Sequence, residues 1–385
     1  MIFVSTIPRR VWFRLTVPGL VSNFFLLLLV LVPGIGRSAY GGRRWIGTGS
    51  FHLQPSEIAI ITTAMYLAYF FTRKAHVLER FKVGLRPALI VVILAFGLIF
   101  AEPDMGTSLT LLGTSLAIIF ASGARMKHLL VLLGAAVPAM LILALSASYR
   151  SSRIQAFVHP FTNAQGSAYQ LIQGWTGIAA GGWFGRGFGM SIEKTGYLPF
   201  PYTDFIFAVF TEECGFIGAI VLIGLFAIMV WRGLWIARHA ATRFEYLLAV
   251  GLTCMIAVAT FINLGAVTGV LPVTGIPLPF ISYGGTSIIV YLGAVGMLLG
   301  ISRSTLDVEP EADMFADIVD LNTIRSVQHQ GRQSRHELTA TKPTGTVRGK
   351  HVSQTDEKPM TWREKNGQSK TSAPKRSRRT HKRSE

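Results

Sequence analysis

The sequence predicts an all-α fold, a polytopic helical membrane protein. Three observations carry this. Half of the 385 residues are hydrophobic and mean hydropathy is +0.44. Only 15% are charged, against roughly 25% in a soluble domain. Uncharged runs of membrane length recur from Leu15 to Ser302.

About eight spans follow in order: 15–36, 55–72, 85–101, 105–123, 128–147, 205–231, 246–270 and 284–302. Leu15–Gly36 is uncharged for 22 residues. As a helix it would run about 33 Å, enough for a hydrocarbon core of about 30 Å. It is longer than a signal-peptide core and lacks a small-residue cleavage site, so it reads as a span. Ile58–Thr72 and Pro87–Ala101 are each 15 residues and must borrow flanking residues. Met105–Ala124, His128–Tyr149 and Cys214–Trp231 supply three more spans. Tyr246–Ser302 is long enough for two, with a Pro/Gly-rich connection between them.

Lysine and arginine placement sets the orientation. With the N-terminus inside, thirteen of these cations fall in inner segments and seven in outer ones. Both termini are then cytoplasmic, and the large outer loop is 148–204. Beyond the 1–303 transmembrane domain, residues 304–385 form a basic segment ending in KRSRRTHKRSE. It reads as a disordered cytoplasmic tail able to rest on anionic headgroups of membrane lipids; no nucleic-acid partner is expected. Within it, Met314, Phe315, Ile318 and Val319 recur at helical spacing, as in a short amphipathic helix over Glu309–Leu321. Cys214 and Cys254 fall inside spans, and His52, His128 and His159 have no ligand spacing, so neither a disulfide nor a metal site is indicated.

Met1–Ser302 holds nine acidic residues. A carboxylate beside hydrocarbon requires a partner or a function. Glu57 after Ser56 reads as helix capping beside a favourable dipole, and Asp104 as the cap of the next helix. Asp204, in the stretch YLPFPYTDFIFA, is either an N-cap or a reactive carboxylate. A Gly-rich aromatic run, GWTGIAAGGWFGRGFGMS, and Lys194 precede it, in a loop returning to the membrane. Glu212 and Glu213 read as a functional site, a proton relay or structural partners of an arginine. Arg43 and Arg44 beside Trp45 suit a phosphate or headgroup, although snorkelling arginines at an interface look the same. Asn263–Ser287 has no charge and many Pro and Gly. A broken helix or a re-entrant loop lining a cavity is expected there, with Asn263, Thr274, Ser282 and Tyr283 facing into it.

Taken together, RWI (Arg44–Ile46), QPSE (Gln54–Glu57), PDMGTS (Pro103–Ser108), GSAYQLIQG (Gly166–Gly174), YLP with TDFIFA (Tyr197–Ala208), EECGFIG (Glu212–Gly218) and Asn263–Ser287 resemble the SEDS family of bacterial membrane proteins. That family, named for shape, elongation, division and sporulation, includes FtsW, RodA and SpoVE. The chain looks closer to the FtsW/SpoVE branch. The resemblance implies a peptidoglycan glycosyltransferase in the bacterial plasma membrane, joining lipid II into glycan strands beside a class B penicillin-binding protein. The family's essential Asp maps onto Asp204. Its substrate-binding set would comprise Arg43, Arg44, Glu57, Asp104, Arg153, Gln170, Lys194, Thr203, Asn263, Thr274, Ser282 and Tyr283. Arginines, or a divalent cation such as Mg or Mn, would neutralise the pyrophosphate. A lipid II flippase and an inactive scaffold for the penicillin-binding protein are the rival readings.

Three positions depart from the family pattern: Ile60 replaces a Lys, Phe200 a Glu, and Tyr202 a His or Gln. Members usually have ten spans, so this chain is expected to begin near the end of the second, with Met1–Pro8 as its last turn.

Overall fold

The computed structural model describes residues 1–39, 42–47, 52–78, 80–131, 134 and 148–304. The expected span 128–147, beyond its first residues, and the expected tail with its Glu309–Leu321 helix lie outside them. The described elements are α1 (Ile2–Ser5), α2 (Arg9–Leu31), β1 (Arg37–Ala39), β2 (Gly42–Trp45), α3 (Pro55–Arg73), α4 (Arg86–Ala101), α5 (Met105–Ala121), α6 (Ser148–Val158), α7 (Tyr169–Gly181), α8 (Ile206–Arg238), α9 (Arg243–Thr268) and α10 (Gly285–Ser304).

Among the described residues, five helices are long and apolar enough to cross a membrane: α2, Phe81–Ala101, α8, α9 and α10. A π-helical turn over Phe81–Leu85 lengthens α4, so the short apolar run does borrow flanking residues. The first span starts six residues early, at Arg9 rather than Leu15, and ends at Leu31. Pro33 and the left-handed Gly34 (φ +93°) then break the helix before the expected end at Gly36. The loop after it is not wholly irregular: β1 and β2 pair antiparallel, and Ile46 bridges Leu53.

The centre of the bundle is α9. Its most apolar stretch is 72% buried, against 22% for α8. Phe244, Leu247, Leu248, Leu252, Met255 and Ala259 pack there against α3 and α5. A capping box fixes the start of α9: Thr242 accepts from the Glu245 amide, and Glu245 accepts from that of Thr242. Gly269 in the left-handed region (φ +76°) ends it.

The bend in α8 decides where the outer loop goes. Gly233 of α8 packs directly on Thr253 of α9, and Asn263 of α9 bonds to the backbone of Asp204. Along α9 these points are ten residues apart, about 15 Å; along a straight α8 they would be about 43 Å apart. The two paths meet because α8 breaks at Gly215 (φ 71°, ψ −174°) and its first arm folds back. Residues 182–187 thread into the break. Phe216 N–H donates to Gly182 O (2.9 Å) and Ile217 N–H to Trp183 O, while Arg186 and Gly187 N–H donate to Glu212 O and Glu213 O (both 3.0 Å). Backbone groups orphaned by the kink are thereby satisfied. Gly185 and Gly215 face each other there with no room for a Cβ.

Candidate active site

Asp204 lies one residue before the N-cap of α8, which is Phe205, and α8 has no side-chain cap. The N-cap alternative for this carboxylate is therefore set aside. One oxygen accepts from Thr203 Oγ1 (2.9 Å), the other from Gln170 Nε2 (3.3 Å). Gln170, on α7, also donates to Pro199 O (3.2 Å), tying helix, loop and carboxylate together. Phe205 and Phe207 are buried beneath, whereas Tyr202 is exposed. Burial pushes the Asp204 carboxyl above its usual range; the bond from Thr203, its own amide, the Arg153 charge and the Gln170 amide pull the other way.

The opposite wall is the segment between α9 and α10. Asn263 Nδ2 donates to Asp204 O (2.8 Å) and Ile276 O (2.7 Å). Ser282 Oγ donates to Thr203 O (2.5 Å) and accepts from Leu278 N (2.7 Å). Tyr283 N–H donates to Tyr202 O (2.8 Å). Of the expected Asn263–Ser287 stretch, residues 269–284 return against the helices without helical structure, whereas residues 263–268 remain in α9 and 285–287 open α10. The stretch does not line a cavity with all four expected side chains. Asn263 and Ser282 spend their donors on backbone carbonyls, and the Tyr283 ring is 80% exposed. Thr274 is buried with its hydroxyl unsatisfied, as is Asn263 Oδ1. Arg153, on α6, donates to Val273 O (2.9 Å). Between Arg153 and Asp204 stands Gly275 (φ +75°), where a Cβ would lie 3.8 Å from Arg153 Nη1 and 3.9 Å from Asp204 Oδ2. A glycine there keeps the gap between cation and carboxylate open.

The remaining expected residues fall elsewhere. Asp104 is the N-cap of α5, accepting from Thr107 N (3.1 Å) and Thr107 Oγ1 (2.9 Å), and Gln54 Nε2 reaches it at 2.7 Å. Arg44 turns inward onto the same corner: it bonds to Glu102 O (3.2 Å) and Pro103 O, and its Nη1 lies 3.9 Å from Asp104 Oδ1. Arg43 donates to Leu31 O (3.4 Å). Glu57 is buried in α3 with Oε2 unpaired, beside a cavity of about 10 Å³ that Ile60 and Tyr291 also line. Lys194 pairs with Glu213 at 2.5 Å. A larger cavity of about 520 Å³ opens near Glu245, lined by Arg9, Arg10, Trp12 and Arg303. It lies at the opposite end of α9 from Asn263 and takes no part in the Asp204 site. Among the described residues no three His, Cys, Asp or Glu side chains are grouped to hold a metal, and Asp204 has no second carboxylate beside it.

A family model for cell cycle proteins, covering FtsW, RodA and SpoVE, matches residues 1–306. The chain belongs to this FtsW/RodA/SpoVE family. Stage V sporulation protein E of Bacillus subtilis (strain 168) is 43% identical over 303 residues, 79% of this chain and 83% of that protein. A probable peptidoglycan glycosyltransferase FtsW of Geobacter sp. (strain M18) is 39% identical over 296 residues, 77% of this chain and 81% of that one. Two solved structures share the fold. A chain from a peptidoglycan synthase complex that coordinates polymerization and crosslinking aligns with a TM-score of 0.66 and 30% identity, covering 79% of this chain and 85% of that one. The rod shape determining protein RodA of Thermus thermophilus aligns with a TM-score of 0.58 and 27% identity, covering 79% and 82%.

Within this FtsW/RodA/SpoVE chain, Glu212 ties the outer loop to α8. Its carboxylate accepts from Ser191 Oγ (2.5 Å), Ile192 N (2.9 Å) and Glu193 N (3.3 Å), pinning the loop to α8. Neither Glu212 nor Glu213 pairs with an arginine in these contacts. Three residues of the Asp204 and Asp104 sites escaped sequence reasoning: Gln54 and Thr107, which saturate Asp104, and Gly275. Gln54 and Thr107 do sit inside the QPSE and PDMGTS motifs. Gly275 carried no local signal, since it matters only through what faces it.

Proposed function

We propose that this chain is a peptidoglycan glycosyltransferase, polymerising lipid II at the outer face of the cytoplasmic membrane with Asp204 as general base. The observation that carries the reading is the state of Asp204. It is half-buried, uncapped, with its pKa raised by burial, and it faces Arg153 across Gly275. The relatives named as peptidoglycan glycosyltransferases support the reaction class.

Asp204 takes the proton from the acceptor sugar hydroxyl as its oxygen attacks the anomeric carbon. The bond from that carbon to the pyrophosphate oxygen breaks, and the electron pair leaves with the polyprenyl pyrophosphate. A single displacement inverts the anomeric centre. The leaving group is already a stable anion, so no acid is needed, unlike glycoside hydrolysis. An ordinary Asp is a weak base; burial brings this one nearer to working pH. Arg153, which faces Asp204 across Gly275, offsets charge on the pyrophosphate. A class B penicillin-binding protein as partner, cytoplasmic termini and a role in division or sporulation belong to the same proposal. The solved synthase complex supports the partner, and the sporulation relative supports the setting.

The test is lipid II polymerisation by purified Asp204→Asn. Loss of strand synthesis by about 10²–10⁴-fold, with unfolding temperature retained, is expected. Wild-type rates from that variant would remove Asp204 from the chemistry. No polymer from the wild-type protein, with or without a penicillin-binding protein, would leave transport or scaffolding.

A further inference from the structure

The outer loop carries an apolar surface that the polymerase chemistry does not use. Trp183 is 66% exposed, Phe184 84%, Phe188 83% and Met190 66%. This surface continues an exposed apolar face of α8. On α8, Phe216, Ile220, Leu225, Ile228, Trp231 and Trp235 are exposed, and the rise from Phe216 to Trp235 is about 29 Å. That matches the hydrocarbon core of about 30 Å. Its inner edge is marked by Trp235 with the Arg232 guanidinium 5.0 Å over the ring, as expected at a membrane interface. Its outer edge is Phe216, against which Trp183 stacks edge-on at 5.3 Å. The loop therefore stands at the height of the outer interface.

Part of the loop's backbone is paired within the protein. Hydrocarbon tolerates irregular backbone only where its polar groups are satisfied internally. The N–H groups of Gly185, Arg186, Gly187 and Met190 all have protein acceptors: Gly181 O, Glu212 O, Glu213 O and Gly187 O.

The geometry points to an interfacial anchor. Trp183, Phe184, Phe188 and Met190 insert into the outer leaflet at headgroup depth, and the exposed Arg186 reaches the lipid phosphates. Because the same loop is threaded into the α8 break, the anchor fixes the height of the arm that ends at Asp204.

The test uses the full chain with Cys214 and Cys254 replaced by Ala and a single cysteine introduced, Phe184→Cys or Phe188→Cys. Each carries an environment-sensitive nitrobenzoxadiazole dye, in vesicles of phosphatidylethanolamine and phosphatidylglycerol. The expected result at both positions is blue-shifted emission, loss of emission when lipids brominated high on the acyl chain are included, and protection from aqueous iodide. A dye at either position that iodide quenches like free dye, and that brominated lipid leaves unchanged, overturns the anchor. The surface would then belong to water or to a protein partner.

Discussion

One buried amide, Asn263 Nδ2, holds Asp204 in place by donating to its carbonyl at 2.8 Å while also donating to Ile276 O at 2.7 Å. Two elements distant in sequence, the start of α8 and the segment after α9, are thus joined at the carboxylate. Asn263→Leu keeps the volume and removes both bonds. Each stranded carbonyl costs about 1–3 kcal/mol. A lower unfolding temperature and a drop in kcat larger than any rise in KM are expected, measured by thermal unfolding in detergent and lipid II turnover.

Gln170, Thr203 and Arg153 all favour ionised Asp204, against the burial that raises its pKa. A general base works only when deprotonated, so activity is lost as pH falls through the folded pKa. Gln170→Leu and Arg153→Gln each remove an influence that lowers it. The acid limb of the pH–rate profile should therefore move to higher pH in both variants. An unmoved or lowered limb would contradict the assignment.

Glu102, in the turn after α4, is fully buried, and burial with the nearby Asp104 charge lifts its pKa to about 8. Folding thus favours the protonated form, and an unfolded glutamate titrates near 4.3. Its contribution to stability is complete below the unfolded value and declines as pH rises towards about 8, by about 1.4 kcal/mol per pH unit, then levels. Glu102→Gln should flatten this part of the curve. The check is the wild-type-minus-variant difference in unfolding temperature between pH 5 and 9.

The α8 break separates glycines that look alike in sequence. Gly185 and Gly189 both have φ +81°, yet a Cβ on Gly185 would lie 2.1 Å from Glu213 O while one on Gly189 meets nothing within 4 Å. Gly189→Ala should cost about 1–2 kcal/mol, the strain of a left-handed residue. Gly185→Ala must also push the loop out of the break. It should destabilise far more and abolish polymerisation, readable from unfolding temperatures of the two variants side by side.

Sequence alone determined the fold class, because uncharged runs long enough to span hydrocarbon are a one-dimensional property of the chain. Cap chemistry at Asp104 and the non-helical return after Thr268 were legible for the same reason: short polar residues and Pro/Gly act on their own backbone. Tertiary structure decided what surrounds Asp204, Glu212 and Arg44. Spacing left Asp204 as cap or base, and only the packing of Phe205, Gln170 and Arg153 around it sets its solvation and charge. Glu212 turned out to hold a loop, and Arg44 to hold a turn, because their partners lie 19–21 and 58–59 residues away. Contacts over such distances depend on how the helices bend and cross, above all at Gly215, and no local pattern encodes them.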